Sequence, residues 1–239
     1  MRHAGSLSAS LILTALLAVA APAFAYEETT VSDGGTIEGK VVFQGAIPMR
    51  KIITTKDQDV CGGIREEPEI IVNGEKAVKD AVVYLAKVDK GKAWPAAAPK
   101  PLLDQEHCVF KPRVQVMHGG TLTVKNSDPV LHNTHGFYGK RTAFNMALPN
   151  KDQEIETDLD RAGTVRIECD AHGWMLGWVY VVENPYFAVT GEDGSFSIAD
   201  VPPGDYVLIA THEFTGPVEI PVTVKAGESA ATPVELKKQ

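Results

Sequence analysis

Apolar and polar residues alternate in short runs along most of the chain, and no long helical periodicity stands out. Such runs occupy Thr36–Phe43 (TIEGKVVF), Asp80–Val88 (DAVVYLAKV), Arg113–Val116, Thr121–Lys125 and, more briefly, Glu69–Val72. Others occupy Gly177–Val182, Ala188–Thr190, Gly194–Ile198, Tyr206–His212 and Val218–Lys225. Gly, Pro, Asn and Asp separate them, so the pattern predicts an all-β fold of packed sandwiches. In the run AGTVRIEC, Val165, Ile167 and Cys169 share one face of a strand, and Thr164, Arg166 and Glu168 share the other. Cys169 therefore leaves its strand pointing into the core. A hairpin is expected around His118-Gly119-Gly120, joining the runs on either side.

The order of the runs suggests two units. Val88–Pro101 (VDKGKAWPAAAPKP) is rich in Pro, Ala and Lys and reads as a linker. A second unit, 102–184, follows it. Residues 186–237 hold four short strands with turns at Gly191–Asp193 and Val201–Asp205, too few for a seven-stranded sandwich. Adding the strands of 35–90 completes one, so the expectation is a sandwich built from both chain ends and interrupted by another. The stretch between Pro149 and Ala162 reads as rich in turns, with no assigned role.

The first 25 residues carry Arg2, the apolar run Leu11–Ala20 and a small-x-small site at Ala23-Phe24-Ala25. They read as a secretory signal peptide, which places the remainder outside the cytoplasm, in the periplasm or at the cell surface. The apolar run is too short to span a membrane. The exported part, 214 of the 239 residues, loses Arg2 and keeps 22 Lys and Arg against 31 Asp and Glu, a formal charge of −9. That acidity argues against nucleic acid as a partner.

The chemistry concentrates at Glu168–Met175 (ECDAHGWM), where a thiol, an imidazole and a thioether fall at Cys169, His172 and Met175. The loop links two strands at one end of a sandwich. Thiolate and thioether donors select copper over hard cations, and two imidazoles with one thiolate and a weak axial Met form the blue-copper set. Asn126–His135 (NSDPVLHNTH) supplies the second imidazole. His132 and His135 are an odd number of positions apart, so in a regular strand they face opposite ways and only one reaches the metal. A lone Met is usually core filler, a lone His a hydrogen-bonded surface group, and an exported Cys half a disulfide. All the donors together, in order and at strand ends, favour a metal site.

HNTH followed by CDAHGWM resembles the cupredoxins, and the amicyanin type most closely, over roughly Leu103–Glu183. The resemblance implies His132, Cys169, His172 and Met175 as ligands of one copper ion cycling between Cu(I) and Cu(II). It makes Asn133 the residue that ties the first-ligand strand to the ligand loop. His135 would serve behind the ligands, or replace His132 if a bulge at Asn133-Thr134 shifts the register. The resemblance also implies that the edge of His172 emerges through an apolar docking patch, which Gly173, Trp174 and Leu176 would provide; simple core packing is the equal alternative for Trp174. Gly35–Gly45 and Ala188–Glu213 resemble the two ends of a carboxypeptidase-regulatory-like (transthyretin-like) sandwich, which implies a structural or interaction role.

Three Cys leave one unpaired in an exported chain. Cys61 and Cys108 lie outside the ligand motif, so they are expected to form a disulfide and leave Cys169 as a thiolate. The chain holds seven His, and none forms a His-x-His pair of the kind that multicopper enzymes use. No phosphate loop or haem-attachment motif occurs, and Cys169 with His172 three residues on makes a poor nucleophile dyad. The expected role is therefore electron transfer rather than catalysis, with a redox protein such as a c-type cytochrome or a periplasmic dehydrogenase as partner. A copper carrier or store, and a metal-free interaction module, are the alternatives.

Overall fold

The computed structural model describes residues 26–96 and 100–238. The expected signal segment, 1–25, and part of the expected linker, 97–99, lie outside the described residues. The regular structure of the described residues is almost wholly strand, with a single helical turn at Gln58–Cys61. No described helix is long and apolar enough to cross a membrane.

The centre of the chain forms two facing sheets. One has the order Arg141–Leu148, His132–Tyr138, Gly163–Glu168, Leu176–Val182, Val114–His118, and its last pair is parallel. The other has the order Gln153–Leu159, Gly120–Asn126, Leu102–Glu106, Val109–Lys111. Side chains of alternate residues fill the space between them. Val165, Ile167 and Cys169 are at most 1% exposed and pack with Leu103, Leu122, Val124, Leu148 and Val179, as the two-residue period requires. Burying each large aliphatic side chain contributes about 1.5–3 kcal/mol.

The remaining strands come from both ends of the chain. Gly35–Phe43 pairs with Ser195–Val201, Ser229–Ala231 and Val234–Leu236. Val82–Leu85 lies between Phe187–Val189 and Gly204–His212, and Gly216–Val224 completes that sheet. These two sheets share a second core around Ile37, Val83, Tyr186, Leu208 and Ala210. A small third cluster of Val82, Val114, Trp178 and Tyr180 joins the two assemblies. Beside it the guanidinium of Arg113 lies 2.6 Å from the carboxylate of Glu213 and 5.3 Å above the Trp178 ring.

Three expectations need correction. Val114–His118 and Gly120–Asn126 are not a hairpin, because each pairs within a different sheet. Gly120, at φ +140, makes the corner between them. Glu69–Val72 is not a strand; the paired segment is Arg65–Pro68, which forms a ladder with Met49–Ile52. The stretch between Pro149 and Ala162 is largely a strand, Gln153–Leu159, at the edge of its sheet.

Candidate metal centre

Two strand ends and one loop converge at one end of the central sandwich. His132 opens its strand and is fully buried. The preceding turn is built by Asn126, whose amide donates to the carbonyls of Val130 and Leu148, both at 2.9 Å, and whose Oδ1 accepts from the Asp128 N–H. Asp128 is thereby aimed inward. It accepts the backbone N–H groups of His107 and Cys108, both at 2.8 Å, and lies 2.9 Å from Nε2 of His132. Burial opposes ionisation of Asp128, but these donors outweigh it and hold the carboxyl below its ordinary range.

The loop that carries Cys169, His172 and Met175 starts where Gly163–Glu168 ends. His172 N–H bonds to Cys169 O at 3.2 Å and Met175 N–H to His172 O at 2.9 Å, and these turns fold His172 and Met175 back over Cys169. Asn133 bonds to both Cys169 and Asp170. Its backbone N–H points at Cys169 Sγ, 3.5 Å away, its Oδ1 accepts the Asp170 N–H, and its amide donates to the Asp170 carboxylate at 2.9 Å.

The result is a triangle of buried donors. Cys169 Sγ lies 3.9 Å from His132 Nδ1 and 3.7 Å from His172 Nδ1, and the two Nδ1 atoms are 3.0 Å apart. An ion with bonds of zinc-like length in a trigonal plane spans nitrogen–sulfur separations of about 3.8 Å and a nitrogen–nitrogen separation of about 3.5 Å, so the two nitrogen–sulfur edges match and the two imidazoles must part by about 0.5 Å to admit it. Met175, 1% exposed, belongs to the same core cluster as Cys169. His135 does not join them. It faces the other side of the sheet, with Nδ1 3.2 Å from Asp170 and Nε2 3.0 Å from the Thr142 hydroxyl. The strand is regular between His132 and His135, so no bulge brings His135 inward.

The protonation pattern fits a cation. Nε2 of His172 lies 2.9 Å from the carboxylate of Asp57, as Nε2 of His132 does from Asp128. Each carboxylate accepts only if Nε2 carries the hydrogen, and in a neutral ring that leaves Nδ1 a bare acceptor. Two acceptors then face each other with one thiol hydrogen to share between them. Burial lowers the basicity of His132 and raises the Cys169 thiol above its ordinary range. A soft cation at the centre of the triangle satisfies all three atoms and takes the thiol as thiolate.

Sequence reasoning missed Asp57. It sits at φ +53 before the Gln58–Cys61 turn, and that turn is fastened by the Cys61–Cys108 disulfide, which forms as expected. Cys169 is the free, buried thiol. The expectation that His172 reaches the surface is corrected: the ring is 0% exposed, beneath the segment that carries Asp57. Trp174 is half-buried with its ring 5.1 Å from His172, and its indole N–H has no hydrogen-bond partner.

No family model and no curated protein matches the chain. Solved structures do. A purple cupredoxin from Nitrosopumilus maritimus is 18% identical over 35% of this chain and all of its own, with a TM-score of 0.29. A point mutant of amicyanin in its reduced Cu(I) form is 26% identical over 36% of this chain and 86% of its own, at 0.31. Amicyanin from Paracoccus versutus is 20% identical over 42% of this chain and 97% of its own, at 0.32. At such TM-scores these likenesses carry no functional conclusion.

Proposed function

We propose that the chain is an electron carrier in which Nδ1 of His132, Sγ of Cys169 and Nδ1 of His172 would hold one copper ion, with Met175 as a further, weak donor. The observation that carries this reading is the triangle of buried donors, with edges of 3.0, 3.7 and 3.9 Å. Bound copper supplies a one-electron couple. The protein supplies everything else. Asp128 and Asp57 hold the two rings with Nδ1 inward, Asn133 fixes Cys169 and its loop, and the sandwich core keeps water away. Donors held by strand ends and by a hydrogen-bonded loop would change position little between oxidation states, and small reorganisation favours electron transfer over catalysis.

The reading extends to export by residues 1–25, and to a redox protein partner such as a c-type cytochrome or a periplasmic dehydrogenase. The carboxypeptidase-regulatory-like strands would serve to dock that partner. A copper carrier or store would use the same donors but must release its metal; zero exposure of both rings argues against that. Challenge with a Cu(I) chelator during repeated reduction and reoxidation separates the two. A carrier of electrons keeps its copper through the cycles, whereas loss of copper within the first reduction rejects that role.

A further inference from the structure

The segment that covers His172 comes from outside the central sandwich. Met49–Ile52 and Arg65–Pro68 form a short ladder, and the chain between them holds Asp57 and the Gln58–Cys61 turn. Three attachments fix it to the metal end. The Cys61–Cys108 disulfide places both sulfurs within 4.8 Å of a His172 ring nitrogen. Arg50 reaches the carbonyl of Trp174 at 3.4 Å, and Val60 packs into the central core. Within the segment, the Asp57 carbonyl accepts the N–H groups of Val60 and Cys61, at 3.0 and 2.8 Å, and Arg65 donates to the Cys61 carbonyl at 3.2 Å. The turn's backbone is thus held at both ends, and one side-chain oxygen of Asp57 lies 2.9 Å from Nε2 of His172 across 115 residues of sequence.

From this geometry we propose that Asp57 is a positioning residue for His172, an inference that rests on the copper reading above. It accepts the Nε2 hydrogen, so the ring presents Nδ1 to Cys169 in a single tautomer and orientation. The pairing repeats on the other ring, where Asp128 lies at the same 2.9 Å distance. Both imidazoles therefore carry an anionic acceptor behind them. Such a partner raises the basicity of the coordinating nitrogen, and its negative charge favours the more highly charged oxidation state. The Asp57 side chain keeps 36% exposure, so its charge is partly screened and its effect is smaller than that of Asp128, at 3%.

The test uses the full exported chain with its disulfide intact, as wild type, Asp57→Asn and Asp57→Ala. Nitrogen NMR of the metal-free proteins reads the His172 tautomer. A single Nε2–H form is expected in the wild type and a mixture in Asp57→Ala. Asp57→Asn keeps a neutral oxygen acceptor and should retain the tautomer. With copper bound, both variants should lose about tenfold in the ratio of Cu(II) to Cu(I) affinity, a rise of about 59 mV in midpoint. A tautomer unchanged in Asp57→Ala, or midpoints unchanged in both variants while the copper–thiolate band persists, overturns the proposal. Absence of that band in the wild type rejects the copper reading, and the NMR comparison still decides the role of Asp57.

Discussion

His132 and His172 face each other through their Nδ1 atoms at 3.0 Å, each with a carboxylate 2.9 Å behind its Nε2. Both rings are wholly buried. Without a cation between them, two acceptors meet in a dry site, and the folded state carries that cost.

Metal should therefore stabilise the fold. At free copper a thousandfold above the dissociation constant, the gain is about 4 kcal/mol, or roughly 10 °C in unfolding midpoint for a chain of this size. Calorimetry of the protein with and without copper measures it. The rise should vanish in Cys169→Ser, which loses the thiolate.

Asp128 holds the turn before His132 as well as the ring. Replacing it with Ala orphans the N–H groups of His107 and Cys108 together with Nε2 of His132. The metal-free protein should lose about 3 kcal/mol, measured by urea unfolding. A loss below about 1 kcal/mol would show that water replaces the carboxylate.

The disulfide joins cysteines 47 positions apart and fastens the Asp57 turn. Loop entropy gives it about 4 kcal/mol. The pair Cys61→Ala, Cys108→Ala should lose most of that in chemical unfolding, and the His172 tautomer should become mixed as in Asp57→Ala.

Much of this was legible in the sequence, and the exceptions share a cause. The two-residue period of Val165, Ile167 and Cys169 sets which way the thiol points. The odd spacing of His132 and His135 required that they part, and they do. Local pattern does not encode which sheet a strand joins, so the strands flanking Gly120 read as a hairpin although they lie in different layers. Gln153–Leu159 is an edge strand whose only buried residue is Leu159, which leaves almost no apolar alternation to detect. Asp57 is joined to His172 by chain closure across 115 residues, for which no spacing rule exists. Its nearest signal was Cys61, four positions on, once Cys61 is paired with Cys108.

Glu213 makes the joint between the two sandwich assemblies sensitive to pH. Burial pushes its carboxyl from 4.5 up to about 7 despite the Arg113 guanidinium 2.6 Å away. Between these values the folded chain keeps a proton that the unfolded chain releases, so stability falls as pH rises from about 4.5 to about 7 and is level above. The change is on the order of 3 kcal/mol. His212, held down to about 3 by burial, gives the opposite slope between 3 and its ordinary 6.5. Nδ1 of His212 lies 3.3 Å from the Glu213 carboxylate, so unfolding midpoints of Glu213→Gln and its parent are compared across this range in a His212→Asn background, where only the Glu213 slope differs. Parallel curves would exclude the buried acid.

The most direct test of the metal centre is a visible spectrum of the exported chain, disulfide oxidised, after one equivalent of Cu(II), beside Cys169→Ser. An intense thiolate-to-copper charge-transfer band, bleached by reductant and absent from the variant, is the predicted result. Two folded proteins with no such band would contradict the account.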